Sequence, residues 1–451
     1  MSAPDLRRIV DVAPLVKSGA VSPVDLVKGC LAQIDRRPEI NAFITRLDRE
    51  ALTEAERLAR EIRDGEYRGP LHGIPIAVKD LIDVTGTKTT SASAVPVDVA
   101  AGDAASIAQL RQAGAIVIGK TNLHEFAFGT TSDESAFGPV RHPLDPARSA
   151  GGSSGGSAAA LAAGMCFGAL GTDTGGSIRI PSAVCGTVGL KPTVGEISVH
   201  GVVPLSATLD HLGPMARSVA DAAILFDVLK GRPPFGTMAT ADRLTIGTPT
   251  GYFCDRLERG ARQALERGQA ALVAAGHDVR EVDVRYASWT PAVYLHIVLP
   301  EASRFHARWL ETTPGAYSPG VRLRLEMGRY VLAEDYIRAM DLRRALTVAV
   351  DAALDGCHAL LLPAQPMPAP PLGAPSVEIN GQQEPVRAAM LRLTQLFNIT
   401  GHPAIALPGS HDVDDFPRGL QLVGRRHQTE RLLEIAAACE PLFEPRDPHL
   451  G

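Results

Sequence analysis

The sequence predicts an α/β fold, one large domain in which a central β-sheet is surrounded by helices. Two observations carry this. Between Gly73 and Lys120 a β-branched run, a helical segment and a second apolar run follow one another, the order of a sheet covered by helices. The chain has 451 residues, more than the roughly 250–300 at which a single core stops growing. It nevertheless shows no internal repeat and no polar linker long enough to divide it, so helical inserts on one sheet fit better than two separate cores.

The elements follow in order. The first 65 residues read as helices: Ser22-Pro23-x-Asp25 sets an N-cap, a proline at the first helical position and an acidic residue in the first turn, and a charged helix fits Asp48 to Asp64. GIPIAVKDLI (Gly73 to Ile82) is a strand ending near Lys79, Asp103 to Gln112 a helix closed by Gly114, and AIVIGK (Ala115 to Lys120) a buried strand. Ala158 to Ala163 is a helix former, and MCFGALG reads as a core strand. Ser218-x-x-Asp221 caps a helix that stops at Gly231. Strands are expected at Leu244 to Gly247, Val279 to Val284, His358 to Leu362, Ala404 to Leu407 and Gly419 to Val423, and helices at Glu258 to Ala275 and Thr429 to Glu440. Trp289 to Ala353 is helical and carries Trp289, Tyr294, Phe305, Trp309, Tyr317, Tyr330 and Tyr336, which are assigned by default to the core of a helical insert.

Composition narrows the function classes. With 45% apolar and 21% charged residues the chain is ordinary for a globular protein, and a net charge of −5 favours neither nucleic acid nor an anionic membrane. The six cysteines lack metal spacing and are expected to be reduced thiols, and MSAPDLRRIVDVAPLV lacks the apolar block of a signal peptide. A cytoplasmic protein without metal or cofactor is expected, acting on a small molecule as monomer or homodimer.

The chemistry concentrates in SAGGSSGGSAAALAAGMCFGALGTDTGGSIRIP, Ser149 to Pro181. Glycine and serine at this density suggest a linker, but the alanine-rich segment between the two glycine clusters would pack. Neither cluster is followed by Lys-Ser or Lys-Thr, and neither gives GxGxxG, which argues against a phosphate loop. Gly151-Gly152-Ser153-Ser154-Gly155 matches the GxSxG elbow by letter, but RHPLDPARSA before it reads as loop where the elbow needs a strand. Ser177 is the better nucleophile: it ends a turn after an expected strand, and the N–H groups of Thr174, Gly175, Gly176 and Ser177 could form an oxyanion hole, where one donor is worth about 2.7–4 kcal/mol. The base is left open. His124, His142, His200, His211 and His402 are each expected to be structural or exposed, whereas Lys79 and Lys120 both close apolar runs that would desolvate an amine.

These residues resemble the amidase signature enzymes. Lys79 after GIPIAV, GGSSGGSAAA at 151–160, GTDTGGSIRIP at 171–181, CGTVGLKPT at 185–193, LDHLGPMARS at 209–218, NITGHPAIALP at 398–408 and GLQLVGR at 419–425 carry the likeness over most of the chain from about residue 70. The resemblance implies one amidase signature domain with a mixed central sheet: helices over 1–68, catalytic core 69–231, a variable and largely helical region 232–395, and a return to the sheet over 396–451. It implies a Ser-Ser-Lys triad, with Ser177 as nucleophile, Ser153 as the bridging serine, cis to the residue before it, and Lys79 as base. Gly152 relieves crowding there. Asp173 and Arg179 are expected to pair and hold the loop, Ser154 and Ser157 to be loop or capping groups, and Lys120 and Lys191 to be structural.

The implied activity is amide hydrolysis through an acyl-enzyme, on small or aryl amides, esters or carbamates, with urethanase-type turnover among them. One alternative is the catalytic subunit of a tRNA-dependent amidotransferase, although PGVRLRL stands where that group carries a glycine-phenylalanine-glycine stretch. Another is a hydrolase of ureido acids of the allophanate or carboxybiuret kind. A non-enzymatic binding module is the alternative from a different class.

Overall fold

The computed structural model describes residues 8–233, 243–409 and 416–443. Thirteen strands are present among them: β1 Phe43–Arg46, β2 Pro75–Lys79, β3 Ile116–Thr121, β4 Gly168–Asp173, β5 Val188–Lys191, β6 His211–Ala216, β7 Thr245–Pro249, β8 Asp278–Val282, β9 Ala359–Pro363, β10 Ser376–Ile379, β11 Gln382–Pro385, β12 Ala404–Leu407 and β13 Leu420–Val423. Eleven build one sheet in the order β1-β3-β2-β4-β6-β5-β12-β13-β9-β7-β8, and β10 with β11 forms a separate hairpin. The sheet is mixed: β3-β2-β4 and β9-β7-β8 run parallel, and the pairs between those trios are antiparallel. The late strands β12 and β13 sit between β5 and β9 and join the two trios.

The central strands are buried on both faces, as β2, β3, β4, β5, β6, β9, β12 and β13 expose no residue. This explains why they read as continuous apolar runs without alternation. Helices cover the sheet. Pro23–Arg36 starts as the sequence suggests, with Ser22 Oγ accepting the Val24 N–H at 3.2 Å. Val219–Leu229 starts with Ser218 Oγ accepting the Asp221 N–H at 3.1 Å. The aromatic region forms Thr290–Thr312, Pro319–Gly328 and Ala333–Ala353, a helical layer attached to the sheet. All six cysteines are free thiols. Among the described residues no helix is long and apolar enough to cross a membrane.

Four differences from the sequence expectation stand out. The first 65 residues are not all helical, because β1 pairs antiparallel with β3 at the sheet edge. β5 and β6 are four- and six-residue strands interrupted by glycine, which leaves too little periodicity to read. Arg179–Cys185 is a helix despite Pro181, since a proline in the first turn removes no intrahelical bond. The helix expected from Ala158 begins earlier, at Gly155, directly after the serine pair.

That early start depends on close approach. A Cβ on Gly156 would lie 2.3 Å from the Asn122 carbonyl oxygen and 2.6 Å from that of Ala42, backbone atoms that side-chain rotation cannot move away. Gly156→Ala is therefore expected to destabilise the fold by about 1–3 kcal/mol, the usual cost of overpacking, measured as a lower midpoint in denaturant unfolding.

Candidate active site

Lys79 is the last residue of β2, at the carboxyl end of three parallel strands, where open α/β sheets place their ligands. Its side chain is fully buried. Nζ lies 2.8 Å from each of three hydroxyls, Ser153 Oγ, Ser154 Oγ and Thr172 Oγ1, and among the described residues no carboxylate forms an ion pair with it. Burial with only neutral partners lowers its pKa to about 7, against weak opposing pulls from Asp173 and Asp210. Near neutral pH the amine is therefore uncharged in a large fraction of molecules. It then donates two protons to its hydroxyl neighbours and accepts one.

The loop that brings Ser153 to this amine is held by its backbone. The Ser153 carbonyl accepts the His124 N–H at 3.1 Å and the Ser132 hydroxyl at 3.1 Å. The Gly152–Ser153 peptide is cis, and a Cβ on Gly152 would meet the Thr130 and Thr131 backbone at 2.8 Å, so only glycine fits there. The Ser154 N–H donates to the Ser177 carbonyl at 3.1 Å and ties this loop to the next.

The second loop leaves β4 after Asp173. The Asp173 carboxylate accepts the Ile178 N–H at 3.1 Å and binds the Arg179 guanidinium at two points, each 3.0 Å, with both side chains fully buried. Burial alone would raise the pKa of Asp173, but Arg179 outweighs it and holds the carboxyl well below its ordinary range. Thr394 Oγ1 donates to the Gly175 carbonyl at 2.6 Å and so orients the intervening peptides. The N–H groups of Thr174, Gly175, Gly176 and Ser177 make no hydrogen bond to another described residue, although all four residues are buried. Backbone N–H groups without partners in a buried loop are rare, and four in succession here are left available to an incoming acceptor. The Ser177 hydroxyl likewise makes no hydrogen bond to another described residue.

The structure thus brings Lys79 to Ser153 and joins the Ser153 and Ser177 loops through the backbone. The other candidates lie elsewhere. Lys120 Nζ is 2.8 Å from Asp80 and also bonds Thr89 and the Lys88 carbonyl, and Lys191 Nζ bonds the carbonyls of Pro192 and His402. His124 faces Asp133 and Glu134, His142 the Val184 carbonyl, His211 the carbonyls of Leu209 and Asp173, and His402 Asp351, while His200 is exposed.

Ser157 is structural, bonded to Thr121 and the Leu170 carbonyl. Ser154 needs correction: it stands at the N-cap position without a capping bond, because its hydroxyl contacts Lys79 and the Thr172 carbonyl instead. Sequence reasoning missed Thr172, whose place one residue before Asp173 at the end of a strand was the available signal.

Of the seven aromatics in the helical region, Tyr294 reaches the site. Its hydroxyl would be 2.6 Å from a Cβ on Gly175. The others pack away from that loop or face outward, as Tyr330 does at 84% exposure.

Comparisons with known proteins give the family. The amidase family model matches residues 25–433. An amidase of Pseudomonas putida is 37% identical over 100% of this chain and 99% of its own length. A glutamyl-tRNA(Gln) amidotransferase subunit of Lachnospira eligens is 32% identical over 96% of this chain and 97% of its own. The crystal structure of an amidase, 38% identical, superposes with a TM-score of 0.93 over 97% of this chain and 100% of that one. The chain belongs to the amidase family and is an enzyme of the class that hydrolyses carbon-nitrogen bonds.

Proposed function

We propose that the protein hydrolyses amide bonds through an acyl-enzyme on Ser177, with Lys79 as base and Ser153 as the group that relays the proton between them. The observation that carries the reading is an amine buried without a carboxylate partner, 2.8 Å from the Ser153 hydroxyl. Neutral Lys79 takes the proton of Ser153 as Ser153 takes that of Ser177, whose oxygen attacks the carbonyl carbon. The developing oxyanion is received by the N–H groups of Thr174 to Ser177, a role supported by their having no hydrogen-bond partner among the described residues. Ser153 returns a proton to the leaving amine, and water releases the acyl group by the same steps in reverse.

Small or aryl amides, esters and carbamates, urethanes included, suit this chemistry as substrates, and the protein acts on them as a monomer or homodimer in the cytoplasm without a cofactor. Kinship with amidotransferase subunits supports a second reading, ammonia transfer to a charged tRNA with partner subunits. A turnover screen over amides, carbamates, ureido acids and glutamine separates the two. Glutamine turnover that requires added partner subunits supports the second, and turnover of simple amides by the chain alone supports the first.

A fluorophosphonate probe is expected to add one adduct per chain, and Ser177→Ala to take up none and lose at least about 10⁴-fold in kcat. If Ser177→Ala still labelled, the nucleophile would lie elsewhere. The sign of the pH dependence follows from the base. The active amine is the deprotonated form, so kcat/KM should rise with pH, with a midpoint near 7, and then level off. Lys79→Ala should remove this rise together with most of the activity.

Thr172→Val tests the hydroxyl cage. An ammonium uses all three hydroxyls as acceptors whereas a neutral amine uses two, so losing one disfavours the charged form. The pH–rate midpoint should move to lower pH, and a midpoint that did not move would show that Thr172 has no electrostatic part in setting it.

A further inference from the structure

The loop from Thr174 to Ser177 is held at its first residue by a carboxylate that no cation neutralises. Thr174 follows β4 directly and is buried. Its hydroxyl donates to Asp210 Oδ1 at 2.6 Å. Asp210 directly precedes β6, the antiparallel neighbour of β4, and the ladder pairs Asp173 with His211, so the next step places Thr174 opposite Asp210. Asp210 Oδ2 accepts the N–H groups of Leu205 and Ser206 at 2.9 and 3.0 Å. Among the described residues no lysine, arginine or histidine forms an ion pair with this half-buried carboxylate.

The turn that carries Asp210 is itself fastened to the helical layer. Glu301, on the helix Thr290–Thr312, accepts the Thr208 N–H at 3.1 Å, the Thr208 hydroxyl and the Tyr336 hydroxyl at 2.9 Å each, and the Ser206 hydroxyl. Arg343, on the helix Ala333–Ala353, donates to the Thr208 carbonyl at 3.1 Å. A path of hydrogen bonds therefore runs from two helices through residues 205–210 to Thr174. Its centre calls for a carboxylate, because Asp210 meets three donors with two oxygens and an amide offers only one. Burial raises the carboxyl pKa to about 6, against the pull of those donors, and the charge of Glu301 adds to the rise. The other titratable groups that face it are Lys79 and Tyr294, while Asp173 beside them is paired with Arg179.

Resting on the acyl-enzyme reading above, we propose that Asp210 is a positioning residue of the reaction, whose carboxylate holds the Thr174 side chain and so fixes the start of the loop that receives the oxyanion. Thr394 holds the same loop at the Gly175 carbonyl, so the first two residues are fastened from different parts of the chain, the turn before β6 and the segment before β12. The charge of Asp210 has a second effect. It favours the ammonium that Lys79 becomes on taking up a proton.

The test follows the rate of labelling by a fluorophosphonate, since phosphonylation of a serine calls on the same base and the same oxyanion donors as acylation. Thr174→Val removes the anchoring hydroxyl at nearly equal volume. It should lower the maximal labelling rate roughly 10- to 100-fold, the scale of a misplaced reacting group, with little change in the half-saturating probe concentration. Thr174→Ser keeps the hydroxyl and should recover most of the rate. Asp210→Asn should show a similar loss and also move the pH midpoint of labelling lower, because the charge that favours the Lys79 ammonium is gone. The double variant should lose less than the product of the two single losses, as both changes remove one contact. A Thr174→Val enzyme that labelled at the wild-type rate would overturn the proposal, and so would a Thr174→Ser enzyme no faster than Thr174→Val. Losses that multiplied in the double variant, or an unmoved midpoint in Asp210→Asn, would do the same. Should Asp210→Asn fail to fold, the two Thr174 variants decide. No labelling of the wild type refutes the serine reading on which the proposal rests, whereas labelling indifferent to these variants refutes the role of Asp210 alone.

Discussion

The buried pair of Asp173 and Arg179 is the constraint on which the site depends. It lies where the chain leaves β4 and enters the helix Arg179–Cys185, and its remaining hydrogen bonds reach segments more than two hundred residues later. Arg179 Nη1 donates to the Thr394 carbonyl at 3.0 Å and to Gln421 Oε1 at 3.1 Å, and Nη2 to Asn398 Oδ1 at 2.7 Å. Asn398 Nδ2 in turn donates to the Asp173 carboxylate at 2.8 Å. Desolvating two charges is expensive, and removing one partner of such a pair commonly costs about 3–5 kcal/mol. The full set of hydrogen bonds offsets that cost. It also ties the loop of Ser177 to β13 and to the segment before β12, so the position of that loop depends on the last part of the chain.

Within that frame the three buried lysines differ by their partners alone. Lys79, Lys120 and Lys191 are all fully buried, and burial lowers the pKa of each. Asp80 opposes this for Lys120 by favouring its ammonium, and the two side chains hold each other 2.8 Å apart. Lys191 donates to two backbone carbonyls and meets no hydroxyl, so a free electron pair on its nitrogen would have no proton to take. Lys79 alone of the three is surrounded by hydroxyl groups, which can accept from an ammonium or donate to an amine. Its environment therefore tolerates both protonation states.

Most of this was legible in the sequence where the signal was local. The capping serines Ser22 and Ser218, the strands ending at Lys79 and Lys120, and the two glycine loops could all be read directly. The contrast between Lys79 and Lys120 was not a local matter, because both close an apolar run and the difference lies in Asp80, whose side chain turns toward Lys120 although it follows Lys79. The hydroxyl of Ser154 was read as a loop or capping group, and its tertiary contact with Lys79 carried no local sign. β5 and β6 were hidden because both faces are covered, which removes alternation, and because glycine interrupts them. The approach of Tyr294 to Gly175 was not legible among the seven aromatics, since a tyrosine in sequence carries no sign of which way its helix turns.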